Sequence, residues 1–263
     1  MVYNDFKVQP MLKLIFSNFK ITNNSIILAT PMVLFMFITV LYASFIATHA
    51  RTLNLALFSF LTLLVMVCGL LAGWFYMVKK TLQLNGRTFV YENDRINALK
   101  ELMLSLPKGV GRLFGSFLGF VTISMFVTVI FYYMTVDFIP PAKLQIVADY
   151  LYLPNYIAAL LFLISSVLSF FGMLWLPEIV YCEKNAFLAL KNSLIKTFKT
   201  FPKTLALYLF VYLINFVTHY SIQFFSTNPY VVFLLLVLYY YSILFIVILV
   251  FRYYEQYFLK NED

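Results

Sequence analysis

The chain has 263 residues, of which 63% are hydrophobic, 20% aromatic and 11% charged, and it carries a net charge of +8. With a mean hydropathy of +0.88, this composition excludes an ordinary soluble domain. Its basic residues are dispersed along membrane-hugging segments and not gathered on a folded domain, which excludes a nucleic-acid-binding surface and leaves membrane lipids and other membrane proteins as expected partners.

Six apolar runs cover roughly 26–48, 53–78, 113–136, 155–178, 203–226 and 229–251. A run of about 20 residues at about 1.5 Å each crosses a hydrocarbon core of roughly 30 Å. The expected fold is all-α: a polytopic membrane protein with six transmembrane helices, arranged as three parallel hairpins with interfacial amphipathic helices. Residues 1–263 form a single membrane domain, with possible repeat units 1–78, 79–178 and 179–263.

In chain order, the first run follows a 25-residue polar lead and is longer than a signal-peptide core, so it is expected to remain as an anchor. Span two carries Gly69 and Gly73, then Trp74. In the connection that follows, Ile96, Leu99, Leu102, Met103 and Leu106 share one helical face. An amphipathic helix over 94–106 is expected along the membrane surface, with Asp94 as N-cap and Pro107 as its stop. Gly111, Gly115 and Gly119 repeat at four-residue intervals at the start of span three. Such spacing lets backbones approach, so spans two to four are expected to form a tight centre, and Gly115→Leu is expected to destabilise it.

Beyond span three, Pro140-Pro141 breaks the helix and Ala142 to Leu151 reads as one short helix. Span four offers Ser165, Ser169 and Gly172 on nearly one face and ends at Trp175, Pro177 and Glu178. Trp74, Trp175, Tyr76, Tyr181, Tyr253 and Tyr254 are expected in an aromatic belt at the headgroups. Segment 184–201 is a second amphipathic helix: Phe187, Leu190, Leu194, Phe198 and Phe201 form its apolar stripe, opposite Asn192, Lys196 and Lys199. Spans five and six lack glycine and are expected at the periphery or against a partner. They contain Asn215 and the run Tyr239-Tyr240-Tyr241.

A short pattern precedes each odd-numbered span: Met11-Leu-Lys-Leu-Ile-Phe-Ser-Asn-Phe-Lys20, Ala98-Leu-Lys-Glu-Leu-Met-Leu-Ser-Leu-Pro-Lys108 and Ala189-Leu-Lys-Asn-Ser-Leu-Ile-Lys-Thr-Phe-Lys199. Seventeen of the nineteen Lys and Arg fall in alternate segments, namely the two termini and the second and fourth connections. Basic loops resist translocation, so both termini are expected on the cytoplasmic side.

Chemistry has few candidates. Glu178 beside Pro177 is an ionisable group at membrane depth; with Asn215 and Tyr240 it is the candidate polar path. The plainer expectation is an interfacial ion pair of Glu178 with Lys79, Lys80 or Lys184. His49, His219, Asp137 and Asp149 lie towards one side but without metal-ligand spacing. Cys68 within a span and Cys182 at a span end read as reduced, space-filling thiols. No Walker, dinucleotide-binding, Gly-x-Ser-x-Gly, His-Glu-x-x-His or Cys-x-x-Cys motif occurs, so the expectation is a protein without catalytic site, cofactor or metal.

The stretch Pro177-Glu-Ile-Val-Tyr-Cys-Glu-Lys-Asn-Ala-Phe-Leu-Ala-Leu-Lys-Asn-Ser193 resembles bacterial six-helix membrane proteins grouped around the membrane domain of glycerophosphodiester phosphodiesterases and related uncharacterised families. The resemblance implies the six-span layout in a bacterial inner membrane. It does not imply phosphodiesterase activity, because the chain has no such domain. The functional expectation is an accessory or scaffold component of a membrane assembly, with a transporter or channel for a small solute or lipid-like molecule as the alternative.

The orientation is checked by cysteine labelling in intact cells. Single cysteines placed at Arg95 and Lys196 should stay unlabelled by a membrane-impermeant reagent, and ready labelling at either would refute the six-span layout.

Overall fold

Every regular element of the described residues is helical, as a chain with six apolar runs and few polar loops requires. The computed structural model describes residues 11–49, 53–84, 92–150, 155–182, 185–225 and 228–259. In order these are α1 (Met11–Asn24), a short 3₁₀ turn, α2 (Ala29–His49), α3 (Leu53–Leu84), α4 (Glu92–Phe138), α5 (Pro141–Tyr150), α6 (Tyr156–Gly172), α7 (Trp175–Cys182), α8 (Ala186–Lys199), α9 (Phe201–Phe224) and α10 (Pro229–Tyr254), which ends in a π turn. Among the described residues, six segments are long and apolar enough to cross a membrane: Ile26–Ile46, Asn54–Leu84, Ile96–Thr135, Tyr156–Cys182, Phe201–Ile222 and Tyr230–Leu259. The protein is a multi-pass membrane protein.

Local chemistry sets several boundaries. Asn155, Asn185 and Asn228 each accept a hydrogen bond from a backbone N–H in the first turn of α6, α8 and α10. Each thereby satisfies a donor that the helix leaves open. Pro229 stands in the first turn of α10, where its missing N–H is not needed. Pro202 has no N–H to offer the carbonyl four residues back, and the chain breaks at Thr200 between α8 and α9. Pro107 behaves differently from expectation. It lies inside α4, which runs unbroken for 47 residues from Glu92. The amphipathic segment 94–106 is therefore the head of span three and not a separate helix, and Asp94 lies two residues past the helix start. Packing of this head against α3 outweighs the roughly 3 kcal/mol that an internal proline costs.

The α3–α4 contact shows why. A Cβ on Gly73 would come within 2.9 Å of the Leu106 carbonyl oxygen, and one on Gly109 within 2.5 Å of the Tyr76 Cβ. The two backbones approach this closely because both positions lack a side chain. Gly119 makes a third close approach, where an added Cβ would come within 2.9 Å of the Ala186 Cβ on α8. Gly69, Gly111 and Gly115 play no such part: a Cβ there meets nothing within 4 Å. This corrects the packing expected of those three. Four-residue spacing places glycines on one stripe, but it drifts by about 40° per step, so only the end of the 111–115–119 series reaches a neighbour.

Two buried clusters share α10 as their common wall. One joins α3, α4, α7 and α8 to Leu244, Ile248 and Phe251. The other joins Leu14 of α1 and Leu207 of α9 to Phe245, Leu249, Tyr253 and Tyr254. Phe75 lies parallel to Phe117 and Phe251, with ring centroids 5.6 and 5.7 Å away, so one aromatic stack ties α4, α3 and α10 together. The second half of span six is thus central, contrary to its expected peripheral place. A third, smaller cluster lies at the opposite end, where α5 folds back and buries Leu144 against Leu160 and Ile164 of α6.

Each copy of the Leu-Lys pattern packs on an even-numbered span: α1 on α10, the α4 head on α3, and α8 on α7. Six residues after each pattern's leading Leu, a polar side chain turns inward: Asn18, Ser105 and Lys196.

The glycine geometry yields a direct test. Gly109→Leu should lower stability by about 1–3 kcal/mol by forcing α3 and α4 apart. Gly115→Leu should change it by less than about 0.5 kcal/mol. Thermal unfolding in detergent compares the two.

Candidate functional site

The end of the bundle that carries Lys79, Lys80, Lys196 and Arg252 (hereafter the basic end) contains a buried carboxylate. Span four is interrupted at Met173 and Leu174 and resumes as α7. Pro177 is the third residue of α7, so its missing N–H falls in the first turn, and the first regular bond is Glu178 N–H to the Leu174 carbonyl at 3.1 Å. Glu178 follows this interruption and lies inside the protein, 0% exposed.

Among the described residues, three side chains meet this carboxylate. Lys196 of α8 donates to Oε2 at 2.7 Å and Asn192, one turn earlier, to Oε1 at 3.4 Å. Tyr254 of α10 donates its hydroxyl to the same Oε2. The Lys196 ammonium also donates to the Tyr254 oxygen at 2.6 Å and lies 4.7 Å from the centre of its ring. Cys182 Sγ stands 3.6 Å from the Tyr254 hydroxyl. One carboxylate therefore joins α7, α8 and α10.

Around this junction the polar groups interlock. Tyr181 stacks on Tyr254, with centroids 5.6 Å apart, and donates to Glu255 Oε1 at 2.6 Å. Lys79 caps the end of α7 by donating to the Val180 carbonyl at 2.8 Å, and lies over the Tyr181 ring. Thr200, Thr204 and Tyr253 form a hydroxyl chain between the start of α9 and the end of α10, with spacings of 2.9 and 3.1 Å. Arg252 donates to Ser17 at 2.8 Å, bringing α1 into the same end.

This differs from the sequence expectation in three respects. Among the described residues the ion-pair partner of Glu178 is Lys196, whereas Lys79 donates to a carbonyl and Lys80 pairs with Glu101 at 2.9 Å; Lys184 lies outside the described residues. Asn192 and Lys196, read as the outward polar face, point inward. The buried face of α8 is the small-residue stripe Ala186, Ala189, Ser193 and Thr197, while Phe187 and Phe198 are exposed. The two tryptophans do not stand at the surface: Trp74 and Trp175 are 4% and 5% exposed and donate to the carbonyls of Leu28 and Ala186, both at 2.9 Å. Each fixes the carbonyl at the head of a helix.

The other members of the candidate polar path have separate surroundings. Asn215 is exposed on α9. Tyr240 contacts the Met36 sulfur, and the neighbouring Tyr241 donates to Asn23 at 2.7 Å. None of these bonds involves Glu178. The side chains of His49, His219 and Asp137 lie outside the described residues, while Asp149 is exposed and accepts a bond from Gln145 at 2.8 Å. Among the described residues no group of three or more His, Cys, Asp or Glu comes together as a metal site. Cys68 is buried and Cys182 half-buried, and both are free thiols.

Compared with known proteins, the chain matches no family model, no curated protein and no solved structure.

The coupling within the junction is measurable by a double-mutant cycle. Removing one member of a buried pair costs about 3–5 kcal/mol, because the other charge is left uncompensated. Glu178→Gln and Lys196→Met should each lower the Tm in detergent clearly. The double variant should lose less than the sum, by about 1–3 kcal/mol. Strictly additive losses would show that the two groups do not depend on one another.

Proposed function

We propose that the protein is a non-catalytic component of a bacterial inner-membrane assembly, acting as an accessory or scaffold subunit with both termini in the cytoplasm. The carrying observation is the contrast between the two ends of the bundle. At the basic end buried apolar side chains from α3, α4, α7, α8 and α10 cluster together, and the carboxylate is bonded by groups of the chain itself. At the far end the spans present bulky apolar side chains outward: Phe216, Phe224, Tyr230 and Phe233 on α9 and α10 are 39–86% exposed. In a bilayer such a surface meets acyl chains or another membrane protein. The sorting of the basic residues supports the orientation, and the likeness of 177–193 to a six-helix membrane module points to the same compartment.

A transporter or channel for a lipid-like molecule is the second reading. It draws on Asn215, an amide exposed within a span, and on the far half of α10, where Phe233, Leu234, Leu236, Val237 and Leu238 are all exposed. Helices exposed on most sides leave space between them.

A photo-crosslinking residue at Phe233 or Phe216, introduced in the cell of origin, separates the readings. The accessory reading expects a discrete protein adduct at one of these positions. Lipid adducts alone, together with flux through reconstituted protein that is lost on Asn215→Leu, would replace it with the transporter reading.

A further inference from the structure

Helix α8 turns an unusual face away from the bundle. Opposite its small buried stripe it presents Phe187, Leu188, Ile195 and Phe198, which are 53–64% exposed. Lys191 and Lys199 are exposed on the same side, and α8 contains no Asp or Glu. Its place is fixed by covalent connection, because the membrane-spanning segments Tyr156–Cys182 and Phe201–Ile222 flank it directly.

Few surroundings suit such a face. Acyl chains would cover the four apolar side chains but leave the ammonium groups without a counter-charge. An acidic soluble partner would do the reverse. The headgroup layer of an anionic leaflet does both: apolar side chains sink below the phosphates while lysine stems lie along them and the ammonium groups reach up.

The roll of the helix about its axis is set from inside. Lys196 is held on Glu178, the Ala186 carbonyl is held by Trp175, and the Ala186 Cβ fits against Gly119. A turn of one residue step, about 100°, would break all three contacts.

We propose that the outward face of α8 is a binding surface for anionic phospholipid headgroups, with Lys191 and Lys199 on the phosphates and the Glu178–Lys196 pair as the stop that presents it. The proposal rests on the flanking membrane spans and is independent of whether the protein is an accessory subunit or a transporter.

The test uses the full chain with Cys68 and Cys182 replaced by Ala and a bimane label on Leu188→Cys, in nanodiscs. Brominated phosphatidylglycerol and brominated phosphatidylcholine are supplied at equal mole fraction, and the same label on Leu213→Cys of α9 serves as the reference. The expected result is stronger quenching at 188 by the anionic lipid, by about twofold or more, and no such preference at 213. Lys191→Gln/Lys199→Gln should bring the two lipids to parity at 188 while quenching itself persists. Equal quenching by both lipids in the parent protein, or a preference unchanged in the lysine variant, would overturn headgroup selection. Absence of quenching by either lipid would overturn the membrane-surface placement of α8.

Discussion

A carboxylate inside a membrane protein has to be neutralised where it stands, and the arrangement of the basic end follows from how this is done for Glu178. An uncompensated charge in a low-dielectric interior costs several kcal/mol. Among the described residues, three donors from two other helices offset that cost: Lys196 and Asn192 on α8, and Tyr254 on α10. The break at Met173 and Leu174 is what permits it, because an uninterrupted span four would not place Glu178 in the first turn of a new helix. There the partial positive charge of the helix start also favours an anion. Once α8 is fixed, so is the entry to α9, where Thr200 and Thr204 reach Tyr253.

Close approach supplies what hydrophobicity cannot. Inside lipid an apolar side chain gains little by leaving acyl chains for another helix, so helices hold together through shape and hydrogen bonds. At Gly73 and Gly109 the backbones of α3 and α4 come near enough for Leu106 and Tyr76 to pack on main chain. The Phe117–Phe75–Phe251 stack then carries the contact across to α10. The polar clamp and the glycine contact thus meet on one helix, whose Phe251 belongs to the stack and whose Tyr254, three residues on, belongs to the clamp.

The number and approximate limits of the spans were legible because length and hydropathy alone decide them. The partner of Glu178 was not, for a specific reason. Lysines on an amphipathic helix ordinarily face water, and nothing local distinguishes Lys196 from Lys199, yet one is half-buried in an ion pair and the other exposed. A usable signal was the run Ala186, Ala189, Ser193 and Thr197, since small residues at helical spacing mark a face that meets another helix. Gly109 escaped attention because Pro107-Lys108 read as the end of a helix. The tryptophans misled in the opposite way: their place in the sequence fits a headgroup belt, but each indole is buried and its N–H donates to a backbone carbonyl at the start of a neighbouring helix instead.

The two ends of the bundle answer differently to a disturbance. At the basic end each separation would expose a charge, a hydroxyl or a carbonyl that lipid cannot satisfy, so Glu178, Trp175, Lys79 and Arg252 act together in resisting it. Towards the far end the contacts of α2, α9 and α10 are largely between apolar groups, and side chains such as Phe37, Leu213 and Phe233 already face outward. Replacing one apolar neighbour by another costs little there. Any change of spacing among the spans is therefore cheapest far from the clamp, with the basic end as its pivot. A partner or a lipid entering between the far halves would work mainly against dispersion contacts, whereas one approaching the basic end would have to replace hydrogen bonds before it gained any of its own.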